Sequence, residues 1–129
     1  MQTKSSGQRR GHVIADHQMS YPDPLRVHAG EMVTLDGRED PWDGHPEWTY
    51  LWCISQQGKG GWVPADLIAR DSGSGTGAAR SDYDTRELSV NAGEDVTVER
   101  AAYGWLWCTN DQSVSGWVPA SKVEVSDAA

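Results

Sequence analysis

Phenylalanine is missing from this chain of 129 residues, and cysteine occurs only twice, whereas tryptophan occurs seven times. The two cysteines, Cys53 and Cys108, are too few for the disulfide framework of a small secreted domain and lack the spacing of a zinc site. The four histidines are scattered, without the local spacing of metal ligands. We therefore expect no metal and no other cofactor, and aromatic packing has to rely on indole rings.

Long apolar runs are also missing from the sequence. No segment approaches the roughly 18 apolar residues that are typical of a membrane-spanning helix. The opening MQTKSSGQRRG is charged and no apolar stretch follows it, which argues against a secretory signal. These patterns predict a cytoplasmic protein without a membrane partner.

Basic residues are scarce, and the formal net charge is −8 at pH 7. An acidic protein repels the phosphate backbone of DNA and RNA, so a nucleic-acid partner is disfavoured. The sequence has no nucleophile elbow, no phosphate-binding loop and no HExxH motif. We therefore predict that the protein is not an enzyme.

The sequence does contain an internal repeat. The pentapeptide GWVPA occurs at residues 61–65 and again at 116–120, and Leu-Trp-Cys occurs at 51–53 and at 106–108. Ala-Gly-Glu at 29–31 likewise recurs further along the chain. Self-similarity of this kind indicates a duplicated structural unit.

The repeat predicts the domain boundaries. Residues 1–10 form a flexible basic tail, and the first domain covers 11–70, with a long inserted loop at 36–49. The stretch DSGSGTGA at 71–78 has the composition of a flexible linker. The second domain covers 79–126.

Each copy has the pattern of short strands. Apolar and polar residues alternate in 50–54 and 105–109, and β-branched residues are frequent in 33–35 and 96–98. No segment shows a helical period over ten residues. The fold class is therefore all-β, and five short strands in about 60 residues indicate a small barrel.

The order of these motifs resembles the Src-homology-3 (SH3) family. In that family an ALYDY-like opening and an acidic RT loop precede a Gly-Glu turn, a Trp-Trp strand and a Gly-Trp-Val-Pro ending. The second copy matches this order at 79–83, 87–90, 93–94, 104–107 and 116–123, and the first at 13–17, 30–31, 50–52 and 61–68. The pair is similar to small bacterial tandem SH3-type ligand-binding proteins. The resemblance predicts two SH3-like five-stranded barrels in tandem.

The resemblance also implies a site. SH3 domains bind proline-rich segments in a groove floored by aromatic rings, because a polyproline II helix is already extended and binding it loses little conformational entropy. Acids of the RT loop pair with a basic residue of the ligand. In the second copy, Ser81 and Lys122 stand where two groove tyrosines are expected. The matching positions that remain are Tyr83, Asp84, Glu87, Trp105 and Pro119.

The first copy is further from the SH3 pattern, because its three groove tyrosine positions hold Ala15, His17 and Leu67. Its inserted loop brings further aromatic residues next to the groove, and these either replace the missing rings or fill the groove. Both alternatives remain open. The candidate ligand contacts of this copy are His17, Tyr21, Trp48, Tyr50 and Pro64.

Two further pairs of tryptophans occupy matching positions in the copies. Trp62 and Trp117, in the GWVPA repeats, either support the last strands or contact ligand. Trp52 and Trp107 alternate with Cys53 and Cys108, so we expect the cysteines in the core and these rings on the opposite face. Such rings pack between the domains or under a loop, or form a contact surface for a partner or a second copy.

The leading functional hypothesis is a non-enzymatic adaptor that binds a peptide or protein, with proline-containing basic segments as the ligand. A binder of cell-wall peptide or glycan is one alternative. A structural partner that docks on a larger protein through exposed Trp faces is another. The sequence leaves the oligomeric state open.

Overall fold

A computed structural model describes residues 8–20, 23–71 and 73–126 of the chain. Within these residues the structure is all-β, as predicted, and its helical segments are 3₁₀ turns of three residues each. None of the helices in the described part of the chain is long and apolar enough to cross a membrane. The described strands are β1 (Arg9–Val13), β2 (Arg26–Val27), β3 (Met32–Pro41), β4 (Thr49–Ile54), β5 (Gly60–Pro64), β6 (Ile68–Asp71), β7 (Thr76–Ala79), β8 (Tyr83–Asp84), β9 (Asp95–Ala102), β10 (Trp105–Thr109), β11 (Ser115–Pro119) and β12 (Val123–Ser126).

The chain divides into two units, which we name unit 1 and unit 2. Unit 1 combines residues 8–20 with 87–126, and unit 2 contains 23–71 and 73–86. Unit 1 has a five-stranded sheet of order β11-β10-β9-β1-β12, and unit 2 has one of order β5-β4-β3-β7-β6. The two orders are equivalent, because each hairpin of one sheet has its counterpart in the other. The short strands β2 and β8 pair separately within unit 2.

The predicted boundaries at 11–70 and 79–126 are wrong, because the first strands of the two copies are exchanged. Strand β1 comes from the first copy but pairs with β9 and β12 of the second. Strand β7 starts the second copy but pairs with β3 and β6 of the first. The chain passes from one unit to the other near residues 20 and 86, inside the segments that correspond to the two RT loops.

The predicted linker at 71–78 is also wrong, since most of it belongs to a hairpin. Thr76–Ala79 forms β7, and Asp71 faces Thr76 across the turn from β6. Gly73 and Gly75 have φ angles of 82° and 72°, which residues with a side chain rarely adopt. The Ser74 hydroxyl donates to the Asp71 carbonyl at 3.1 Å. A hairpin therefore replaces the expected flexible tether.

Two other predicted irregular regions also contain strand. Arg9 and Arg10, assigned to the basic tail 1–10, belong to β1, while residues 1–7 lie outside the described residues. The first six residues of the predicted loop 36–49 continue β3 as far as Pro41, with a register shift against β4 between Leu35 and Glu39. Two 3₁₀ turns fill the rest of that loop before β4 begins.

The repeated GWVPA segments adopt the same conformation in both units, as predicted. The strands β5 and β11 end at Pro64 and Pro119, since proline has no amide hydrogen to continue the ladder. A 3₁₀ turn follows each proline, and the closing strand β6 or β12 comes next.

Each unit has its own apolar core, which the alternation along the strands produces. In β10, Leu106 and Cys108 are buried while the residues between them are partly exposed, and β4 follows a similar pattern. The core of unit 1 comprises Val13, Leu88, Val90, Val96, Val98, Leu106, Cys108, Val118 and Val123. The core of unit 2 comprises Leu25, Val27, Val33, Leu51, Cys53, Val63, Ile68 and Ala79.

Candidate ligand-binding site

Unit 1 brings together four of the residues that the sequence singled out, His17, Glu87, Trp105 and Pro119, which we name the unit-1 cluster. The His17 Nε2 atom lies 2.8 Å from Glu87 Oε1, and its ring meets the Trp105 ring edge-on with centroids 5.6 Å apart. Trp105 in turn faces Pro119 across the β10–β11 ladder. An imidazole, a carboxylate and an indole therefore form one continuous contact.

Backbone pairing fixes the position of this cluster. His17 and Val90 form an antiparallel bridge in which each amide donates to the other's carbonyl at 2.9 Å. Glu87 lies beside Trp117 of β11, and the Leu88 amide donates to the Trp117 carbonyl at 3.0 Å. The segments 14–20 and 87–94, which we name the legs of unit 1, are thus held against each other and against the sheet.

The Glu87 carboxylate is well enclosed. Its side chain is 12% exposed and that of His17 is 9% exposed. Besides His17, the Oε1 atom accepts a hydrogen bond from the Ser20 amide at 3.1 Å. A carboxylate removed from water in this way needs such partners, because burying an unpaired charge is costly. The pair therefore orders the legs as well as lining the cluster.

Trp105 keeps part of its ring accessible, whereas Pro119 is buried. The ring stands at the start of β10, after the tight turn at Tyr103 and Gly104, whose φ angles are 49° and 82°. A second acid, Asp16, lies exposed on the first leg, where its Oδ1 accepts from the Ala92 amide at 2.7 Å. The unit-1 cluster thus combines a partly exposed indole with the Glu87 carboxylate, and Asp16, the residue before His17, adds an exposed carboxylate on the same leg.

Unit 2 contains Tyr83 and Asp84, which the sequence assigned to the same groove as Trp105. Tyr83 packs against the core of unit 2, and both residues lie in β8, opposite β2. The Asp84 carboxylate is 3.5 Å from Arg26 Nε and accepts from the Arg86 amide at 2.9 Å. Strand exchange thus places Tyr83 and Asp84 in unit 2, whereas Glu87, Trp105 and Pro119 lie in unit 1.

The candidate residues of the first copy also divide between the units, since His17 belongs to unit 1. In unit 2, Tyr50 faces Pro64 across the β4–β5 ladder, as Trp105 faces Pro119 in unit 1. Tyr50 is only 6% exposed and Pro64 is fully buried, so this pair forms part of the packed interior. Trp48 is partly buried and lies 4.2 Å from the His45 ring. Tyr21 lies outside the described residues.

The tryptophans of the repeats pair across the strands. Trp52 faces Trp62 with ring centroids 5.2 Å apart, and Trp107 faces Trp117 at the same distance, both edge-on. An arginine lies over each pair, Arg38 at 4.6 Å from the Trp52 ring and Arg100 at 5.5 Å from the Trp107 ring.

This pairing explains why the repeat keeps a tryptophan at both positions. The ring in GWVPA packs against the ring in Leu-Trp-Cys, and such aromatic pairs stabilise adjacent strands. Trp117 is buried, whereas Trp62 is partly exposed. Support of the sheet, one of the two predicted roles for these rings, is therefore what their contacts show.

The two cysteines lie in the cores, as predicted, and both are free thiols. Burial raises the pKa of Cys53 and of Cys108 to about 12 in each case. Such thiols are poor nucleophiles at neutral pH. Over residues 8–20, 23–71 and 73–126, no three His, Cys, Asp or Glu side chains come close enough to hold a metal ion.

A small cleft of about 160 Å³ lies in unit 2, lined by Pro24, Leu25, Arg26, Ser55, Gln57 and Lys59. Its two cations have acidic neighbours, since Lys59 Nζ is 3.0 Å from Asp23 and Arg26 pairs with Asp84. The sequence did not single out this cleft, because its lining residues come from two segments without a common motif.

The sequence also missed the contact between His17 and Glu87. Each of the two residues can be recognised in the sequence, since His17 matches a groove position and Glu87 lies in an acidic loop. The contact could be found only by pairing residues from different copies.

A family model for the variant SH3 domain matches residues 7–70 of the chain. A variant SH3 domain is therefore present in this stretch, and domains of this kind are protein-binding modules. The matched stretch contains β1 together with β2–β6, so it crosses the boundary between the two units. A search among curated proteins found no match to the chain.

Proposed function

We propose that the protein is a non-enzymatic protein-binding module whose ligand is a basic, proline-containing segment, bound at the unit-1 cluster. The observation that carries this proposal is the partly exposed Trp105 ring, in contact with His17 and followed by the carboxylate of Glu87. The match to a variant SH3 domain supports the broader role of protein binding.

The chemistry of the unit-1 cluster suits such a ligand. A flat indole covers the ridge of a polyproline II helix, which needs little further ordering on binding. Asp16, on the first leg, presents an exposed carboxylate to a basic ligand residue, while His17 and Ser20 hold the Glu87 carboxylate in place. Charge pairing at an exposed position contributes little affinity but favours basic over acidic ligands.

Unit 2 is the weaker candidate. The counterpart of Trp105 is Tyr50, which is buried, and Pro64 beside it is buried as well. The Asp84 carboxylate already pairs with Arg26. We therefore assign ligand binding to unit 1, with Tyr83, Trp48 and Trp62 as the candidate residues of unit 2 that keep some exposed ring surface.

An NMR titration of the full chain with proline-rich basic peptides tests this proposal. We expect micromolar binding, with the largest shift at the Trp105 indole N–H and at residues of the two legs. The dissociation constant should rise about threefold between 50 and 300 mM salt, because exposed charges are screened. An acidic peptide with the same prolines is the control ligand.

Matched variants locate the site. Trp105→Leu should weaken binding at least about tenfold, since it removes the aromatic surface, whereas Trp48→Leu should leave it unchanged. Thermal unfolding of both variants checks that each is folded. Equal weakening by the two variants, or shifts confined to unit 2, would overturn the assignment to unit 1.

A second candidate function is docking on a larger protein through the paired tryptophans. Trp52 and Trp107 are both partly exposed at equivalent places, which favours a contact surface there. Loss of a partner from Trp52→Ala and Trp107→Ala, with no effect from Trp105→Leu, would support this function over peptide binding. Binding of cell-wall fragments in the same titration would favour that alternative instead.

A further inference from the structure

Strands β1 and β7 occupy equivalent places in their sheets. Gly11 of β1 lies opposite Val96 and Val125, and Gly77 of β7 lies opposite Val33 and Arg70. The backbone alone therefore does not explain why each strand joins the sheet of the other copy. The side chains around the two places do differ, and they differ in a complementary way.

The first difference is the volume of the cores. In unit 1, Val13 of β1 is buried with Val98 and Val123. At the equivalent places of unit 2, Ala79 of β7 packs with Ile68 and with Leu35.

Three valines contain the same number of side-chain carbon atoms as one alanine, one leucine and one isoleucine. The small residue of β7 therefore matches the larger neighbours in unit 2, and the larger residue of β1 matches the smaller neighbours in unit 1.

These neighbouring side chains lie close to the glycines of the exchanged strands. A Cβ atom added at Gly11 would lie 2.8 Å from a methyl of Val123 and 2.9 Å from one of Val98. One added at Gly77 would lie 2.6 Å from a methyl of Ile68. If each strand instead joined its own copy, one core would gain two methyl groups and the other would lose two. Overpacking and cavities both destabilise a core.

The second difference is charge. His12 and Arg10 of β1 both bind the Asp95 carboxylate of β9, at 2.9 Å and 3.3 Å. The place of Asp95 is taken in β3 by Met32, which faces Ala78 of β7. In the unexchanged pairing Asp95 would face Ala78 and Met32 would face His12, so the contact between His12 and Asp95 would be lost, although Arg10 would then face Asp71.

The segments that follow these strands show the same complementarity. His17 binds Glu87 in unit 1, and Arg26 binds Asp84 in unit 2. The bridge of His17 to Val90 and the pairing of Tyr83 with Val27 make these positions equivalent. In the unexchanged arrangement, Pro24 would face His17 and Ser89 would face Asp84, so both side-chain contacts would be lost.

From these observations we infer that a set of side-chain pairings, which we name the code, specifies the exchange. The slot between β9 and β12 is a recognition site for residues 9–17 of the same chain. The slot between β3 and β6 is a recognition site for residues 76–84. The residues that distinguish the partners are His12, Val13 and His17 for the first slot and Ala78, Ala79 and Asp84 for the second. This inference is independent of the proposed ligand.

Disulfide competition in the full chain tests the code. Arg10 faces Thr97 in the structure, and Thr34 is the residue of unit 2 equivalent to Thr97; all three are exposed. The triple variant Arg10→Cys, Thr34→Cys, Thr97→Cys lets the thiol at position 10 choose between the two sheets during refolding and oxidation. Peptide mapping by mass spectrometry should find the 10–97 disulfide at least about tenfold in excess over 10–34.

The code itself is tested by exchanging its residues in this triple variant. His12→Ala and Val13→Ala, combined with Ala78→His and Ala79→Val, give each strand the other's side chains. We expect the ratio of 10–97 to 10–34 disulfide to fall at least about tenfold. The control exchanges Ile14→Arg and Arg80→Ile, two equivalent exposed positions outside the code, and should leave the ratio unchanged.

The outcomes separate clearly. A dominant 10–34 disulfide in the triple variant would overturn the exchange itself. An unchanged ratio after the code residues are exchanged would overturn the code, and disulfides that mainly link two chains would overturn its assignment to a single chain. If the four-residue exchange prevents folding, Val13→Ala with Ala79→Val is the milder variant, and a fall in the ratio is still required.

Discussion

The two units have the same strand order, the same paired tryptophans and the same buried cysteine, but they differ at the proposed ligand site. Trp105 of unit 1 keeps part of its ring exposed, whereas Tyr50, its counterpart in unit 2, is buried. The structural features that the units share therefore stabilise the fold, and the features that differ between them are the candidates for function. The following predictions test how far that division holds.

The largest expected effect is common to both units and concerns the thiols. Burial raises the pKa of Cys53 and Cys108 from 9.0 to about 12, so the thiolate fraction at pH 8 is about a thousandfold below that of an exposed thiol. Alkylation by iodoacetamide should be correspondingly slow at both sites in the native protein and rapid in denaturant, as followed by peptide mapping.

The same raised pKa predicts the effect of alkaline pH. The unfolded thiols ionise above 9.0 while the folded ones stay neutral, so this contribution to stability is lost as pH rises from 9 toward 12. Rapid labelling of one cysteine in the native state would contradict the equivalence of the two cores.

The next effect separates the units at the paired tryptophans. Trp117 is buried and Trp62 is partly exposed, so Trp117→Ala should destabilise by about 4 kcal/mol and Trp62→Ala by about 2 kcal/mol. Urea unfolding measures both losses, and alkylation of Cys108 or Cys53 reports which unit opens. Equal losses of stability would show that the exposed fraction of the tryptophan ring does not determine its contribution to the free energy of unfolding.

A smaller difference is expected at the glycines of the GWVPA strands. A Cβ at Gly116 would lie 2.7 Å from backbone atoms of Glu87 and Leu88, whereas one at Gly61 would meet side-chain atoms of Leu25 and Thr85 at 2.9–3.1 Å. Side chains yield more easily than backbone. Gly116→Ala should therefore cost about 3 kcal/mol and Gly61→Ala about 1 kcal/mol in urea unfolding, and the reverse order would contradict the close approach of the second leg to β11.

The smallest effect is a pH dependence at Asp95 of unit 1. The hydrogen bond from His12, together with that from Arg10, lowers the pKa of the Asp95 carboxyl below 3.8, and Met32 takes its place in unit 2. The carboxylate thus favours folding above pH 3.8, and this benefit is lost as pH falls through the lowered value. The difference in unfolding midpoint between the wild type and Asp95→Met should shrink on acidification, and a constant difference would contradict the pairing.

The sequence predicted the strands, the proline-terminated turns and the buried cysteines, because each depends on local pattern. It did not predict the exchange, because β1 and β7 are similar in length and have glycine at the equivalent position. The order of the motifs also fits either arrangement. The signal lay in residues far apart, such as Val13 with Val98 and Ala79 with Leu35, and became readable only once the register was known. The candidate site was divided for the same reason, because Glu87 belongs with His17 rather than with Tyr83.

The exchange also sets an order of events during synthesis. Residues 23–86 follow one another in the chain, so unit 2 can close as soon as they have left the ribosome. Strand β1 precedes them in the chain but pairs with β9 and β12, the latter ending at Ser126, and must wait until both of these strands have been made. Strand β1 is therefore made before unit 2 but finds its place after it, and its pairing completes the sheet of unit 1.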